Sequence, residues 1–475
     1  MATLLWFRSD LRLTDNPALA HALAVGESVY PLFIKEPEGE NPWALGGASR
    51  WWLHYALEEL DKALSSKGLR LIIREGDPQK VLDALVKETK ATHLCWNRCY
   101  EPHAIKRDTE LKRHFIQAGL DVSSFNANLL VEPPKVANKS GKPFQVYTPF
   151  WKHCLTLDWG SVASVSWKKQ VIPSRWPKSD KLSTLGLLPK IRWDKGLKEA
   201  WDPSAQGLKK QLRHLKKIIT SYSKDRDYPA IEGTSCLSPY LHFGQISPRE
   251  IIAACGGASA MKKNQGAETY LKELFWREFA YHLLYHFPHT PKKPLRPAFE
   301  AFPWRQDKRQ LKAWQAGQTG YPLVDAGMRQ LYKTGWMHNR VRMVVGSFLV
   351  KNLLLDWQHG ARWFWDTLVD ADLASNTLGW QWVGGCGADA APYFRVFNPI
   401  TQSERFDEAG DYIRTYVPEL AKLPDKFIHQ PWLAPEEALE DAGVRLGETY
   451  PRPIVDAKES RQRALEAYQA IKKTP

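Results

Sequence analysis

The chain has 475 residues, 43% of them hydrophobic and 25% charged, so it is long enough for two or more domains and is not disordered in composition. Its formal net charge of +14 favours a polyanionic partner such as nucleic acid, although a generally basic enzyme surface explains the charge equally well. Six scattered Cys residues argue against a disulfide framework or a zinc site, and the apolar runs are too short for a signal peptide or a membrane span.

The first 130 residues alternate short apolar runs with amphipathic stretches, which predicts a parallel, doubly wound sheet. The predicted strands are Thr3–Phe7, Ser28–Ile34, Arg70–Arg74, Thr92–Trp96 and Val122–Asn126. The predicted helices are Asn16–Leu23, Ser49–Lys67, Pro78–Glu88 and His103–Gln117. No Gly-x-Gly-x-x-Gly follows the first strand, so the usual dinucleotide fingerprint is missing.

From residue 131 to 205 the periodicity fades and Pro, Lys, Ser and Trp recur, which predicts a long linker on the surface. Helical patterning begins at Leu208 and dominates the rest of the chain. The first helix surrounds its apolar stripe with Lys209, Lys210, Arg213, Lys216 and Lys217. A solvated basic face explains these cations better than a contact with nucleic acid does.

The loop between Tyr222 and Ser238 gathers hydroxyl groups behind a glycine. Thr234, Ser235 and Ser238 follow Gly233, and Pro239 comes next. Hydroxyls and backbone N–H groups in such a loop suit a phosphate group, but a helix-capping turn explains this segment better when it is considered alone.

Glu273, Trp276 and Arg277 are spaced to share one face of a helix. Spacing alone leaves two interpretations open, a pocket for a flat polar ligand and a buried salt bridge beside a core Trp. His282 and His286 follow on the same helix, but no suitably spaced acidic residue accompanies them, so no metal site is expected.

Two later segments also combine unusual residue types. Asn339, Met343 and Gly346 fall on one helical face, where a carboxamide, a thioether and an absent side chain allow close approach of a ligand. Residues 370–382 contain two Asp residues, an Asn and a Trp-x-Trp pair within 13 positions, which packing alone does not explain. A magnesium site formed by Asp366, Asp370 and Asp372 is a less favoured alternative.

Together these segments resemble the photolyase–cryptochrome family, from Trp6-Phe-Arg-Ser-Asp-Leu-Arg to beyond Phe397-Asn-Pro. The most specific matches are Gly320-Tyr-Pro-Leu-Val-Asp-Ala-Gly-Met-Arg, Met337-His-Asn-Arg and Trp380-Gln-Trp. The resemblance implies an α/β plus all-α fold with three parts. These are an α/β antenna domain with a doubly wound parallel sheet at 1–130, an interdomain linker at 131–205, and a helical FAD- and DNA-binding domain at 206–475.

The resemblance also implies an FAD cofactor that is active in its reduced, anionic form. The residues expected to contact it are Tyr222, Thr234, Ser235, Cys236, Leu237, Ser238, Arg277, Arg342, Asp370, Ala371, Asp372 and Asn376. Among them, Asp370 is expected to pair with Arg342. Asn376 would lie opposite flavin N5, where repair members typically carry Asn and signalling relatives usually carry Asp or Cys.

The partner implied by the resemblance is DNA that contains a pyrimidine dimer. The expected catalytic residues are Glu273, Trp276, Asn339, Met343, Asn376 and Trp382. The two Trp rings would form apolar walls for the flipped-out dimer, and the carboxyl and amide groups would hydrogen-bond to its carbonyl edge. Glu273, Trp276 and Asn339 would thereby contact the DNA, and Arg226, Arg340 and Gln402 would hold its backbone.

Trp304, Trp357 and Trp380 match the family's electron-transfer chain between solvent and flavin. The antenna chromophore stays open. Folate-using relatives carry an Asn-Glu pair after Tyr-Glu, whereas here Tyr100-Glu101 is followed by Pro102, His103 and Ala104. Methenyltetrahydrofolate bound in another arrangement, a flavin-type antenna or no antenna are the alternatives.

The favoured function is therefore light-driven repair of cyclobutane pyrimidine dimers, a carbon–carbon lyase reaction. A cryptochrome-type blue-light photoreceptor is the alternative, and Asn376 argues against it. A DNA-binding module without catalysis would leave the cofactor motifs unexplained. We expect a monomeric cytoplasmic protein without membrane association.

Overall fold

A computed structural model of the chain describes residues 2–37, 39, 43–390, 392–393 and 395–472. The chain divides into two compact units. The first unit comprises Met1–Thr220 and Ser235–Pro288, and the second comprises Ser221–Thr234 and His289–Pro475.

A five-stranded parallel sheet lies in the first unit. Its strands are β1 (Ala2–Phe7), β2 (Ser28–Lys35), β3 (Ile72–Glu75), β4 (His93–Asn97) and β5 (Asp121–Phe125), in the order β3-β2-β1-β4-β5. Every residue of the central strand β1 is buried, as expected for a sheet covered on both faces. The predicted doubly wound sheet is confirmed, with strand ends displaced by at most two residues.

The α-helices up to residue 286 are α1 (Pro17–Val25), α2 (Gly47–Ser65), α3 (Pro78–Thr89), α4 (Pro102–Gln117), α5 (Tyr147–Cys154), α6 (Lys195–Ala200), α7 (Ala205–Ile218), α8 (Tyr222–Asp225), α9 (Ser238–His242), α10 (Pro248–Ala254), α11 (Ala258–Lys262) and α12 (Gln265–His286). Of these, α8 belongs to the second unit. Helices α1 and α3 each begin at a proline that follows a side-chain cap: the Asn16 side chain accepts the Leu19 N–H, and the Asp77 side chain accepts the Lys80 N–H.

The segment predicted as a surface linker contains a helix that the sequence pattern did not reveal. Helix α5 buries Tyr147, Phe150, Trp151 and Cys154 within the first unit. Its eight residues include Pro149 and follow a Pro- and Lys-rich stretch, so no helical period stands out. This part of the chain therefore contributes to the core.

The second unit is helical. Its remaining α-helices are α13 (Lys308–Gln315), α14 (Pro322–Thr334), α15 (Asn339–Ser347), α16 (Trp357–Thr367), α17 (Leu373–Gly384), α18 (Pro399–Phe406), α19 (Asp411–Tyr416), α20 (Asp425–Ile428), α21 (Glu436–Ala442) and α22 (Ala457–Lys472). A π-helical turn at Phe348–Asn352 continues α15. Short 3₁₀ turns lie at Pro133–Lys135, Leu182–Leu185, Pro297–Ala301, Pro418–Leu420 and Pro431–Leu433.

The Gly320–Arg329 motif owes its composition to a buried carboxylate. Asp325 accepts hydrogen bonds from the Thr319 N–H at 2.6 Å, the Gly320 N–H at 3.0 Å and the Tyr450 hydroxyl at 2.8 Å. These bonds fix the start of α14 and join it to a distant C-terminal segment. Within the described residues, none of the helices has both the length and the apolar character needed to span a bilayer.

Candidate functional site

Both units contribute side chains that the sequence analysis assigned to the site. The first unit carries Ser235, Cys236, Leu237, Ser238, Glu273, Trp276 and Arg277. The second unit carries Tyr222, Arg226, Thr234, Trp304, Asn339, Arg340, Arg342, Met343, Trp357, Asp370, Ala371, Asp372, Asn376, Trp380, Trp382 and Gln402.

The loop before α9 turns sharply. Cys236 has a positive φ of 50°, and Leu237 follows in the right-handed helical region. Ser235 is buried; its hydroxyl lies 3.1 Å from the Tyr270 hydroxyl and accepts the Leu237 N–H at 3.4 Å. A left-handed residue next to a right-handed one directs successive N–H groups to a common side, which makes the backbone concave and suited to an anion. The loop therefore has the backbone shape of a phosphate cradle.

Trp276 on α12 is held by an aromatic partner from α5. The ring of Tyr147 stacks on it with centroids 3.8 Å apart and planes 6° from parallel. The Tyr147 hydroxyl donates to the carbonyl of Lys272, one turn before Trp276 on the same helix. Sequence reasoning missed Tyr147 because the two partners lie far apart in the chain and Tyr147 was assigned to a linker.

Arg277 on the same helix is fixed by three neighbours. It donates to the Asn128 carbonyl at 2.7 Å, lies 5.0 Å above the Tyr281 ring and lies 3.6 Å from a carboxylate oxygen of Glu278. Burial raises the pKa of Glu278 to about 7, although Arg277 and the N–H groups of Leu130 and Val131 oppose this shift. Arg277 is thus held within the first unit by a carbonyl, a ring and a partly ionised carboxyl group.

The N-terminus of α15 places Arg340 and Met343 together. The Nδ1 atom of buried His338 accepts the Arg340 N–H at 3.2 Å, and burial lowers the pKa of His338 to about 4, so the ring is neutral near pH 7. The Arg340 guanidinium binds Asp227 at 2.8 Å, lies 4.4 Å above the Phe406 ring and contacts the Met343 sulfur at 4.0 Å. Arg340 is therefore partly neutralised by the protein itself.

The expected pairing of Arg342 with Asp370 is confirmed. One guanidinium nitrogen of Arg342 lies 3.2 and 3.0 Å from the two carboxylate oxygens, and its Nε donates to the Met337 carbonyl at 2.7 Å. Asp372 caps α17 by accepting the Ser375 N–H at 2.8 Å. The two Asp residues are thus oriented by different groups, one by a cation and one by a helix N-terminus.

Helix α17 packs closely on α16 through residues spaced four apart. The amide nitrogen of Asn376 donates to the Ala361 carbonyl at 3.0 Å, and its oxygen has no protein partner among the described residues. Trp380 packs against Phe364 at 4.9 Å and occupies the space beside Gly360, where a Cβ atom would lie 2.0 Å from the indole. Gly360 is therefore required by the close approach of the ring.

The Trp residues assigned to electron transfer belong to one hydrophobic cluster of the second unit. Trp357 and Trp380 are each 3% exposed, and Trp304 is half-buried beside Phe302 at 4.4 Å. Trp304 is thus the most exposed of the three Trp residues, as expected for the outermost member of an electron-transfer series that ends at solvent.

Gln381 lies between two Trp residues and anchors a loop. Its amide nitrogen donates to the Thr290 carbonyl at 2.7 Å, and its oxygen accepts the Leu295 N–H at 2.9 Å. The neighbouring Trp382 is half-buried and stacks on Phe397 at 6.2 Å. Sequence reasoning did not assign Gln381 a role, although a polar residue between two apolar ones was an available signal.

Three further predicted contact residues lie on short elements of the second unit. The Arg226 guanidinium lies 5.4 Å from the centroid of the buried Tyr222 ring. Gln402 on α18 is half-buried, and its side-chain oxygen has no hydrogen-bond partner in the described part of the chain. An amide oxygen in that state suits a ligand donor or a bound water.

Comparison with protein families gives two matches that together cover most of the chain. Residues 3–165 match the model described as DNA photolyase. Residues 270–470 match the model described as the FAD binding domain of DNA photolyase. The expectation of an FAD-binding helical region is therefore confirmed.

Full-length relatives agree with these matches. A deoxyribodipyrimidine photo-lyase of Agrobacterium fabrum is 49% identical over 99% of this chain and 98% of its own length. Cryptochrome-1 of Arabidopsis thaliana is 40% identical over 98% of this chain and 70% of its own. The crystal structure of a class III photolyase from Agrobacterium tumefaciens matches with a TM-score of 0.95 and 48% identity, covering 100% of this chain and 98% of that one. The chain belongs to the DNA photolyase–cryptochrome family.

Proposed function

We propose that this chain is a deoxyribodipyrimidine photo-lyase, which uses light to repair cyclobutane pyrimidine dimers in DNA. The observation that carries the proposal is the arrangement of α17, where Asn376, Trp380 and Trp382 stand on one helix fixed to α16. A neutral amide at position 376 favours repair over signalling by the family resemblance. The 49% identity to a photo-lyase, against 40% to a cryptochrome, points the same way.

The residues present fit an FAD cofactor. The concave backbone at 235–238 suits its phosphates, and Arg342, paired with Asp370, suits the polar edge of the flavin. The Asn376 oxygen, which no described protein group binds, is available to accept a hydrogen bond from the ring system. Tyr222, Thr234, Arg277, Ala371 and Asp372 complete the proposed cofactor contacts.

When bound, reduced anionic FAD supplies the light-excited electron that opens the dimer and is then returned. The protein's own task is to hold the dimer and exclude water. Trp276 and Trp382 provide apolar faces that offset the stacking the dimer loses when it leaves the duplex. Asn339 donates its amide N–H to a pyrimidine carbonyl, where negative charge develops while the two bonds joining the pyrimidines break, and the Glu273 carboxylate accepts the ring N–H beside that carbonyl. Met343 fills the remaining space as a flexible, polarisable side chain.

Contacts with the DNA backbone fall to Arg226, Arg340 and Gln402. Arg340 already binds Asp227, so its contribution to DNA affinity is smaller than that of an unpaired arginine. Trp380, Trp357 and Trp304 supply electrons from the solvent side when the cofactor is reduced in light. These assignments rest on the family resemblance and on the greater exposure of Trp304 than of Trp357 and Trp380.

The antenna chromophore stays open in our proposal. At the carboxyl ends of β1 and β4, where a doubly wound sheet usually binds its ligand, polar side chains bond to one another. Arg8 binds Asp108 at 2.6 Å, and Asn97 donates to Asp10 at 2.6 Å and to Asn16 at 2.7 Å. The alternatives are methenyltetrahydrofolate bound in another arrangement, a flavin-type antenna or no antenna.

The setting we propose is the cytosol. None of the six cysteines, all of which lie in the described part of the chain, forms a disulfide, and three of them are buried. Unpaired thiols persist in reducing compartments, whereas secreted proteins usually pair them.

The decisive test is illumination of purified, chemically reduced protein with an oligonucleotide containing one thymine dimer. We expect the dimer to be converted to two thymines only in light, with no net consumption of reductant. Persistence of the dimer, while the protein bleaches and recovers its colour normally, would support the photoreceptor alternative. The absorption spectrum of freshly purified protein tests the antenna.

A further inference from the structure

Helix α7 concentrates positive charge to an unusual degree. Between Asp202 and Asp225 the chain contains no acidic residue. The helix itself carries Lys209, Lys210, Arg213, Lys216 and Lys217, all exposed, which we call the α7 basic face. On the same helix, Gly207 and Leu215 are buried, so one side attaches the helix to the first unit and the cations occupy the other.

The cations of the α7 basic face lack ion-pair partners among the described residues. Within the described part of the chain, none of the five side chains forms an ion pair or a hydrogen bond. Other surface helices of this chain do pair their lysines one turn apart, as in Lys62–Glu58, Lys198–Asp194 and Lys272–Glu268. The absence of pairing on α7 is therefore a local property and not a general one.

The spacing of the α7 basic face also works against the helix. Lys209 and Arg213 are four residues apart, as are Arg213 and Lys217, and like charges at this spacing destabilise a helix. No described residue pairs with these cations to offset the repulsion. A polyanion bound from outside the protein would offset this repulsion.

The surface continues beyond the helix. Helix α7 packs on α10, and α10 contacts α11, whose C-terminal end carries the exposed Lys262 and Lys263. Lys262 lies 5.3 Å from the Trp159 ring centroid. The cations on α7 and α11 therefore belong to the same unit and extend the positive surface past a single helix.

We propose that the α7 basic face binds the phosphates of duplex DNA outside the damaged site, without regard to sequence. The proposal rests on the proposed function, since it assumes that DNA is the substrate. Lys209, Arg213 and Lys217 rise in steps of about 6 Å along the helix, close to twice the ~3.4 Å axial rise per phosphate of one strand. The helix can thus meet alternate phosphates of one strand while the dimer is held by other residues.

The test removes three cations together. A Lys209→Gln, Arg213→Gln, Lys217→Gln variant is compared with a control, Lys80→Gln, Lys87→Gln, Lys106→Gln, which loses the same charge at exposed positions on α3 and α4. Binding to an undamaged 30-base-pair duplex is titrated at several salt concentrations. The α7 variant should fold normally because its substitutions remove repulsion, and thermal unfolding checks this.

We expect the α7 variant to bind undamaged duplex about 10- to 100-fold more weakly near 0.1 M salt, with a salt dependence shallower by about 2 to 3 in logarithmic slope. The control should stay within about twofold of the wild type. Light-driven repair of a thymine-dimer dinucleotide, which has a single internucleotide phosphate, should be unchanged. An unchanged salt slope, or an equal loss in the control, would overturn the proposal.

Two other outcomes would also overturn it. One is α7-dependent binding that is tighter to anionic phospholipid vesicles than to duplex DNA. The other is α7-dependent binding that is tighter to single-stranded RNA. Failure of the proposed function is separate and recognisable, because the wild type would then leave the dinucleotide unrepaired in light.

Discussion

Replacing Tyr147 with Leu tests whether a residue outside the expected site controls the dimer-binding wall. Tyr147 is 7% exposed, stacks on Trp276 at 3.8 Å and ties α5 to α12 through its hydroxyl. Leu preserves an apolar contact but removes both the parallel ring and the hydrogen bond. The Trp276 indole would then be free to rotate on the side that Tyr147 now covers.

The expected magnitudes follow from these two contacts. Loss of an aromatic pair costs about 0.5–1.5 kcal/mol, and loss of a neutral hydrogen bond costs a similar amount, so the free energy of unfolding should fall by about 1–3 kcal/mol. A mobile Trp276 must be immobilised again when the dimer binds, at about 0.5–1.5 kcal/mol. Affinity for dimer-containing DNA should therefore fall by about 2- to 12-fold.

The assay compares Tyr147→Leu with Tyr147→Phe, which keeps the ring and loses only the hydroxyl. Both variants are titrated with a dimer-containing and an undamaged oligonucleotide, and their unfolding is followed in denaturant. Tyr147→Phe should lose about 1 kcal/mol of stability while keeping its affinity for the dimer. If Tyr147→Leu is destabilised as expected but discriminates damaged from undamaged DNA like the wild type, Tyr147 has no positioning role.

Three further predictions concern other side chains. Asn376→Asp removes the N–H that binds the Ala361 carbonyl and adds an ionisable group, so single-turnover repair should slow by about tenfold, or ~1.4 kcal/mol, while dimer affinity stays unchanged. Trp304→Phe should slow photoreduction, followed by absorbance under blue light, yet leave repair by chemically reduced protein intact; loss of both would contradict its assigned role. The Nε2 atom of His282 accepts the Phe144 N–H, and burial lowers the pKa of His282 to about 3. Because the unfolded chain binds this proton and the folded chain does not, stability should fall as pH drops below about 6.5, by about 3 kcal/mol at pH 4.5. Denaturant titrations at pH 6.5 and pH 4.5 measure this loss. The free energy of unfolding of His282→Gln should depend less on pH than that of the wild type, and an unchanged pH dependence would contradict this reasoning.

The sheet was predictable from sequence because its three central strands are buried on both faces. A short, continuous apolar run such as β1 is typical of a strand in a parallel sheet that is covered on both faces. Capping residues such as Asn16 mark where the intervening helices begin. Helix α5 was not predictable in this way. Its buried residues make contacts with α12, and the Tyr147 hydroxyl reaches a carbonyl 125 residues later in the chain. A short segment whose order depends on such distant partners carries no local period.

The candidate site was likewise predictable where local sequence patterns determine it and not where distant contacts do. The spacing of Glu273, Trp276 and Arg277 predicted that they share one helical face, and all three lie on α12. The same spacing fits a ligand pocket and a buried salt bridge, so it could not distinguish between them. Only the family resemblance gave these residues roles. Contacts such as those of Tyr147 with α12 and of Gln381 with the Thr290 carbonyl join positions about a hundred residues apart in the chain, and they became visible only in the folded protein.

Helix α17 shows why the cofactor residues of this chain occur so close together in sequence. Asn376 and Trp380 are one turn apart, and both rest on adjacent residues of α16, Ala361 and Gly360. A displacement of α16 therefore moves the amide and the ring together, while Trp357 lies at the start of that same helix. Helix positions of this kind hold side chains more exactly than loops do. Coupling through one helix pair allows Asn376, which we propose faces the flavin, and Trp380, which we propose is the first Trp of the electron chain, to keep a fixed separation, which electron transfer requires.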